Sequence, residues 1–128
     1  MYNVVVEVLL SPVEQPNITV SCDDQTNNLV LVKPTWFKFE YNKPQGTSNL
    51  RVELKNKQAN DAHTAVVIEK VILNGIESHH HTYEGFLHYA NQTKRDTYLD
   101  RNGYWQLNFT VPVFTWMHRV HGLGWIYD

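Results

Sequence analysis

One cysteine, Cys22, stands in a chain of 128 residues, which excludes an intrachain disulfide and a zinc site built on thiolates. Charge of one sign is also missing. Eleven Lys and Arg against thirteen Asp and Glu give a formal charge of −2, so no basic surplus exists to neutralise phosphates, and nucleic acid is not an expected partner. No long hydrophobic run occurs. The longest, residues 4–10, is broken by Glu7 and is too short to cross a bilayer, so no membrane contact is expected. The first residues lack the basic start and the small-residue cleavage site of a secretion signal, which predicts a chain kept in the cytoplasm of the producing cell or packaged into a virion. Gly-x-Ser-x-Gly, His-Glu-x-x-His and phosphate-cradling glycine loops are all absent, and the expectation is a protein that is not an enzyme.

A regular helical spacing of apolar residues is likewise missing over any ten-residue stretch, and what recurs instead is a short β-forming run closed by turn residues. Strands are expected at 4–10, 17–22, 29–32, 35–41, 50–55, 65–73, 76–78, 85–89, 104–111, 113–117 and 124–127. Turns or loops are expected at 11–16, 23–28, 42–48 and 55–64, with a helical turn within 89–101. In the run 50–55, Leu50, Val52 and Leu54 alternate with Arg51, Glu53 and Lys55, the pattern of a strand with one buried and one wet face. Asn74-Gly75 after a strongly β-forming run is a hairpin signal, because both residues tolerate positive φ. These features predict one all-β domain over residues 1–128, an antiparallel two-sheet β-sandwich of jelly-roll type.

Chemistry-bearing residues then divide into four groups. Cys22 shares a strand face with Ile18 and Val20 and reads as a small core residue. The seven histidines offer a transition-metal reading in which His79 and His81 share a face and His88 joins them across a hairpin, with His118 and His121 as a second pair. The competing reading is a polar loop with scattered surface histidines. Calcium, held by hard loop oxygens, has candidates in Asp23-Asp24, in Asn60-Asp61, and in Asp96 with Asp100, each of which also suits a turn or a cap.

The sixteen aromatic residues carry the strongest binding signal. Trp36 lies on the opposite strand face from Phe37, Phe39 and Tyr41, beside Lys38 and Glu40, where an indole is free to stack on a sugar ring. Tyr104, Gln106 and Asn108 form a row of one aromatic and two amides on a wet strand face, while Trp105, Leu107, Phe109 and Val111 point inward. Rings that stack on apolar C–H faces, with amides that hold hydroxyls, suit a polysaccharide or cell-surface glycan. An ordinary solvated sheet face is the alternative.

From Thr64 to Gly75 the sequence TAVVIEKVILNG resembles a strand of the calcium-dependent polysaccharide-binding jelly rolls classed as carbohydrate-binding families 36 and 60. The resemblance implies glycan binding through a loop-held calcium, with Asp61 as the acidic residue ahead of the strand. Ala62, His63 and Thr64 depart from the oxygen ligands the family pattern implies. The second half, chiefly residues 102–116 and 124–128, resembles uncharacterised proteins of tailed marine phages, which implies a virion setting. The leading expectation is a non-catalytic carbohydrate-binding module. Its rivals are a virion structural protein or homo-oligomer with no sugar ligand, and a small histidine-metal enzyme.

Overall fold

The structure, a computed structural model, describes residues 1–77, 81, 82, 84–89 and 92–121, the last two by backbone alone. Its strands are β1 (Tyr2–Val13), β2 (Asn17–Cys22), β3 (Gln25–Val30), β4 (Thr35–Lys43), β5 (Gly46–Lys55), β6 (Ala65–Leu73), β7 (Ile76–Glu77), β8 (Phe86–Tyr89), β9 (Gln92–Lys94), β10 (Tyr98–Leu99) and β11 (Gly103–Val111), followed by the helix α1 (Val113–His121). Two antiparallel sheets form the expected sandwich. Sheet I has the order β10-β6-β1-β4, with β7 also paired to β6, and sheet II the order β3-β2-β5-β11-β8-β9. The chain crosses repeatedly between sheets, so each sheet is built from strands distant in sequence.

Alternation places the core. Val4, Val6, Val8 and Leu10 of β1, Ile18, Val20 and Cys22 of β2, Leu50, Val52 and Leu54 of β5, and Trp105, Leu107, Phe109 and Val111 of β11 all point between the sheets and are buried. Fully buried aliphatic and phenyl side chains such as these each stabilise by about 1.5–3 kcal/mol relative to exposure. Strand β6 changes phase once. The register with β1 slips between Leu9 and Leu10, so Glu69 and Lys70 both face solvent, and the inward set moves from Val71 and Leu73 to Val66 and Ile68. This bulge keeps charges out of the core.

Several boundaries differ from the sequence expectations. Only Asp23-Asp24 turn between β2 and β3; residues 25–28, expected as loop, are paired strand, because an edge strand needs backbone partners and not apolar side chains. The expected loop 42–48 contracts to Pro44-Gln45. The expected turn at 11–16 begins later, since β1 runs on to Val13. Within 89–101 the described residues form β9 and β10 and no helical turn. Residues 113–117, expected as a strand, lie in α1. There Val113, Trp116 and Met117 are buried while Phe114 and Thr115 are exposed, an i, i+3, i+4 pattern too short to register in a ten-residue window. The strand expected at 124–127 lies outside the described residues.

Candidate functional site

The outward residues of β11 stand in the row that alternation predicts, and their partners on neighbouring strands define the surface. Tyr104 pairs with His88 of β8 and with Glu53 of β5. The His88 ring stacks on it at 4.7 Å between centroids, 18° from parallel, and the Arg51 guanidinium lies 3.9 Å from the Tyr104 ring centre. Tyr104 is thus bracketed by one side chain from each adjacent strand. Arg51 Nε donates to Gln106 Oε1 at 2.8 Å, and Gln106 Nε2 donates to Asn108 Oδ1 at 2.7 Å. The result is a braced polar track along β11.

At its far end this track meets a cavity. Asn108 pairs in register with Asn49 of β5, and Asn49 lines a cavity of about 510 Å³ together with Asp23, Asp24, Gln25, Tyr41, Asn42 and Lys43. Asp23 sits at φ 49°, which the β2–β3 turn requires, and its carboxylate organises the cavity floor. Oδ2 accepts from Lys43 Nζ at 3.0 Å and Ser48 Oγ at 2.7 Å, and Oδ1 accepts from the Asn49 N–H at 3.1 Å. Burial works to raise the Asp23 pKa, but the bonds from Ser48, Lys43 and Asn49 outweigh it and hold the carboxyl below its usual range. Tyr41 Oη donates to Ser48 Oγ at 3.0 Å and lies 3.4 Å from Cys22 Sγ. Burial pushes the Cys22 thiol up to about 11 and the Tyr41 phenol higher still, so neither ionises near neutrality.

The expected calcium ligands do not assemble. Asp61 Oδ1 accepts from the N–H groups of His63 and Thr64 at 2.9 and 3.0 Å, and its Oδ2 accepts from the Thr64 hydroxyl. The Thr64 hydroxyl is the main reason the Asp61 pKa falls to about 2. Asp96 caps the turn into β10 by accepting from the Thr97 and Tyr98 N–H groups, and it pairs with Lys94 at 3.3 Å. Asp100 does share a cavity of about 350 Å³ with Asp61, but Lys57 and Arg101 line it too, and Lys57 Nζ donates to the Asp100 carbonyl. Cations already occupy the surroundings of both carboxylates. Asp61, Asp96 and Asp100 therefore do not fit a calcium ion as a set, and among the described residues no three His, Cys, Asp or Glu side chains converge to hold a metal.

Of the histidine grouping, the two described members, His81 and His88, are not brought together. His81 is buried, with Nε2 3.0 Å from the Ile76 carbonyl oxygen, whereas His88 stands on the outer face of sheet II. His79 and the side chain of His121 lie outside the described residues. Trp36 is 48% exposed on β4, the edge strand of sheet I, opposite Leu9 and on the other sheet from the Tyr104 row.

No family model and no curated protein matches this chain. Solved structures do, among them two of vCBM60. A vCBM60 in complex with galactobiose superposes with a TM-score of 0.58 at 17% identity, covering 81% of this chain and 98% of its own. A selenomethionine form of vCBM60, described with circular permutation as an evolutionary link between two families of calcium-dependent carbohydrate binding modules, superposes at 0.57 and 16% identity, covering 81% and 89%. The chain has the fold of these carbohydrate-binding modules. The sequence resemblance to that fold is met.

Sequence reasoning found the Tyr104 row but missed Asn42, Lys43 and Asn49, and saw Asp23-Asp24 only as a calcium candidate. The cavity draws on the β2–β3 turn and on β3, β4 and β5, and no local spacing announces their meeting.

Proposed function

We propose that this chain is a non-catalytic glycan-binding module whose sugar lies along the outer face of sheet II, from Tyr104 past Gln106 and Asn108 to the cavity at Asn49. The pairing of Asn108 with Asn49 carries the reading, because it joins an amide track to a concave polar site. From Tyr104 to Asn108 the strand advances roughly 13 Å, a length suited to an oligosaccharide and not to a single ring. Amides, a guanidinium and a lysine supply donors and acceptors for hydroxyls. The fold likeness to modules that include one in complex with galactobiose supports a sugar as the ligand. Asp23, fixed as an anion by three donors, suits a positioning role and not proton transfer.

Calcium is no part of the binding step proposed here, since Asp61, Asp96 and Asp100 do not fit it as a set. Calorimetric titration with a panel of neutral oligosaccharides, galactobiose included, tests the reading. Asn108→Ala and Asn49→Ala are each expected to weaken binding about tenfold, the loss of one to two hydrogen bonds. Only the backbone of Asn49 serves Asp23, so truncating its side chain leaves the cavity floor intact. Unchanged affinity in both variants would remove the sugar from this face.

A further inference from the structure

Among the described residues β4 has a strand partner on one side only: it pairs with β1 and ends sheet I. Among those residues no strand pairs with its other side. The Gln25 Nε2 group donates to the Glu40 carbonyl at 3.1 Å from the direction of β3, so that carbonyl points away from β1. Backbone groups alternate sides along an antiparallel strand, so Trp36, Lys38 and Asn42 also turn their N–H and C=O groups to the open edge. An unprotected edge of this length invites another strand.

The charge pattern says which strand fits. Trp36, Lys38, Glu40 and Asn42 share the outer face of sheet I, and all four are at least partly exposed. A second copy of β4, placed antiparallel about a two-fold axis at Phe39, sets Lys38 against Glu40 of the partner subunit and Glu40 against Lys38 of the partner subunit. Trp36 then meets Asn42 of the partner subunit. All of these positions present open-edge backbone groups, so the hydrogen-bonding pattern closes without a slip. Moving the axis to Lys38 opposes two lysines, and moving it to Glu40 opposes two glutamates. Larger shifts bring Pro34 or Pro44 into the pairing, and neither has an N–H to donate. One register is self-complementary and its neighbours repel themselves.

We infer that the protein forms a two-fold dimer through antiparallel pairing of β4 with β4 about Phe39, which continues sheet I across both copies. The Gln25 amide on the Glu40 carbonyl gives way to a backbone N–H of the partner. A consequence concerns the polar cavity, which Asn42 lines: Trp36 of the partner subunit arrives beside it and adds an exposed indole that a single copy lacks there. The dimer itself does not depend on the glycan reading.

Sedimentation velocity across a concentration series is the test, with circular dichroism and melting to show that each variant is folded. The unaltered chain is expected to sediment as a dimer. Lys38→Glu and Glu40→Lys each create two like-charge pairs and are expected to weaken dimerisation about tenfold. The double variant K38E/E40K restores opposite charges and is expected to regain the dimer. A monomer at every concentration, single variants that associate as the parent does, or a double variant that stays monomeric would each overturn the inference. Loss of sugar binding in a chain that still dimerises would count against the glycan reading alone.

Discussion

His88 and Tyr104 stack at 4.7 Å between ring centroids across the β8–β11 pairing, and Arg51 approaches the same tyrosine ring from β5. This bracket joins three strands of sheet II on its wet face. It fixes the tyrosine, leaving its hydroxyl and edge to meet a ligand. Tyr104→Phe keeps the ring and is expected to hold melting temperature nearly unchanged. Tyr104→Ala removes both contacts and is expected to cost about 1–2 kcal/mol in urea unfolding and to weaken sugar binding.

At Gly85 the backbone lies directly against the Trp105 indole. A Cβ built there falls 2.1 Å from Cε2 and Cζ2 of Trp105, whose side chain is fully buried. Gly85→Ala must displace the indole. The expected loss is about 1–3 kcal/mol in denaturant unfolding, typical of overpacking. A stability equal to the parent's would show that the segment yields freely.

The β6–β7 hairpin rests on Asn74 at φ 49° and Gly75 at φ 80°, and Asn74 also ties the hairpin to β1. Its Oδ1 accepts the Val5 N–H at 2.7 Å. Asn74→Ala loses that bond and the tolerance for positive φ, and an expected cost of about 1–2 kcal/mol follows. Asn74→Gly recovers the backbone tolerance but not the bond. Its stability should fall between those of the parent and the alanine variant, which a melting series can read.

Acid should unfold the protein in part through Asp23 and Asp61. Both have folded pKa values below the unfolded one, and Asp61 titrates near 2. A depressed carboxylate stabilises fully above its unfolded pKa, near 4, and that contribution fades as pH falls through the folded pKa. Unfolding free energy should therefore drop from about pH 4 towards pH 2. Asp23→Asn should be less stable at neutrality and show a shallower acid dependence. An unchanged acid slope in that variant would remove Asp23 from the account.

Much of the sandwich is legible from alternation alone. Leu50, Val52 and Leu54, or Trp105, Leu107 and Phe109, announce strands with one buried face, and Asn74-Gly75 announces its turn. Gln25 to Asn28 do not, because an edge strand wet on both faces has no apolar period to read. Val113, Trp116 and Met117 read as a strand because one short helix holds too few periods to show its own spacing. The site divides along the same line. Tyr104, Gln106 and Asn108 are two apart on one strand, so their row is visible in sequence. Asn49 meets Asn108 only through the β5–β11 register, and Asp23 and Asn42 join Asn49 only through the β2–β3 turn and β4, none of which the sequence displays. Asp61 and Asp96 cap turns, and the sequence does not separate that role from calcium binding because both place carboxylates in the same kind of loop.

A glycan array probed once with millimolar calcium and once with chelator, with the Asn108→Ala variant run beside the parent chain, tests the central claim most directly. The account predicts that the parent binds one class of oligosaccharide in both conditions and that the variant's signal is much reduced. Silence of the parent on all glycans in both conditions would contradict it.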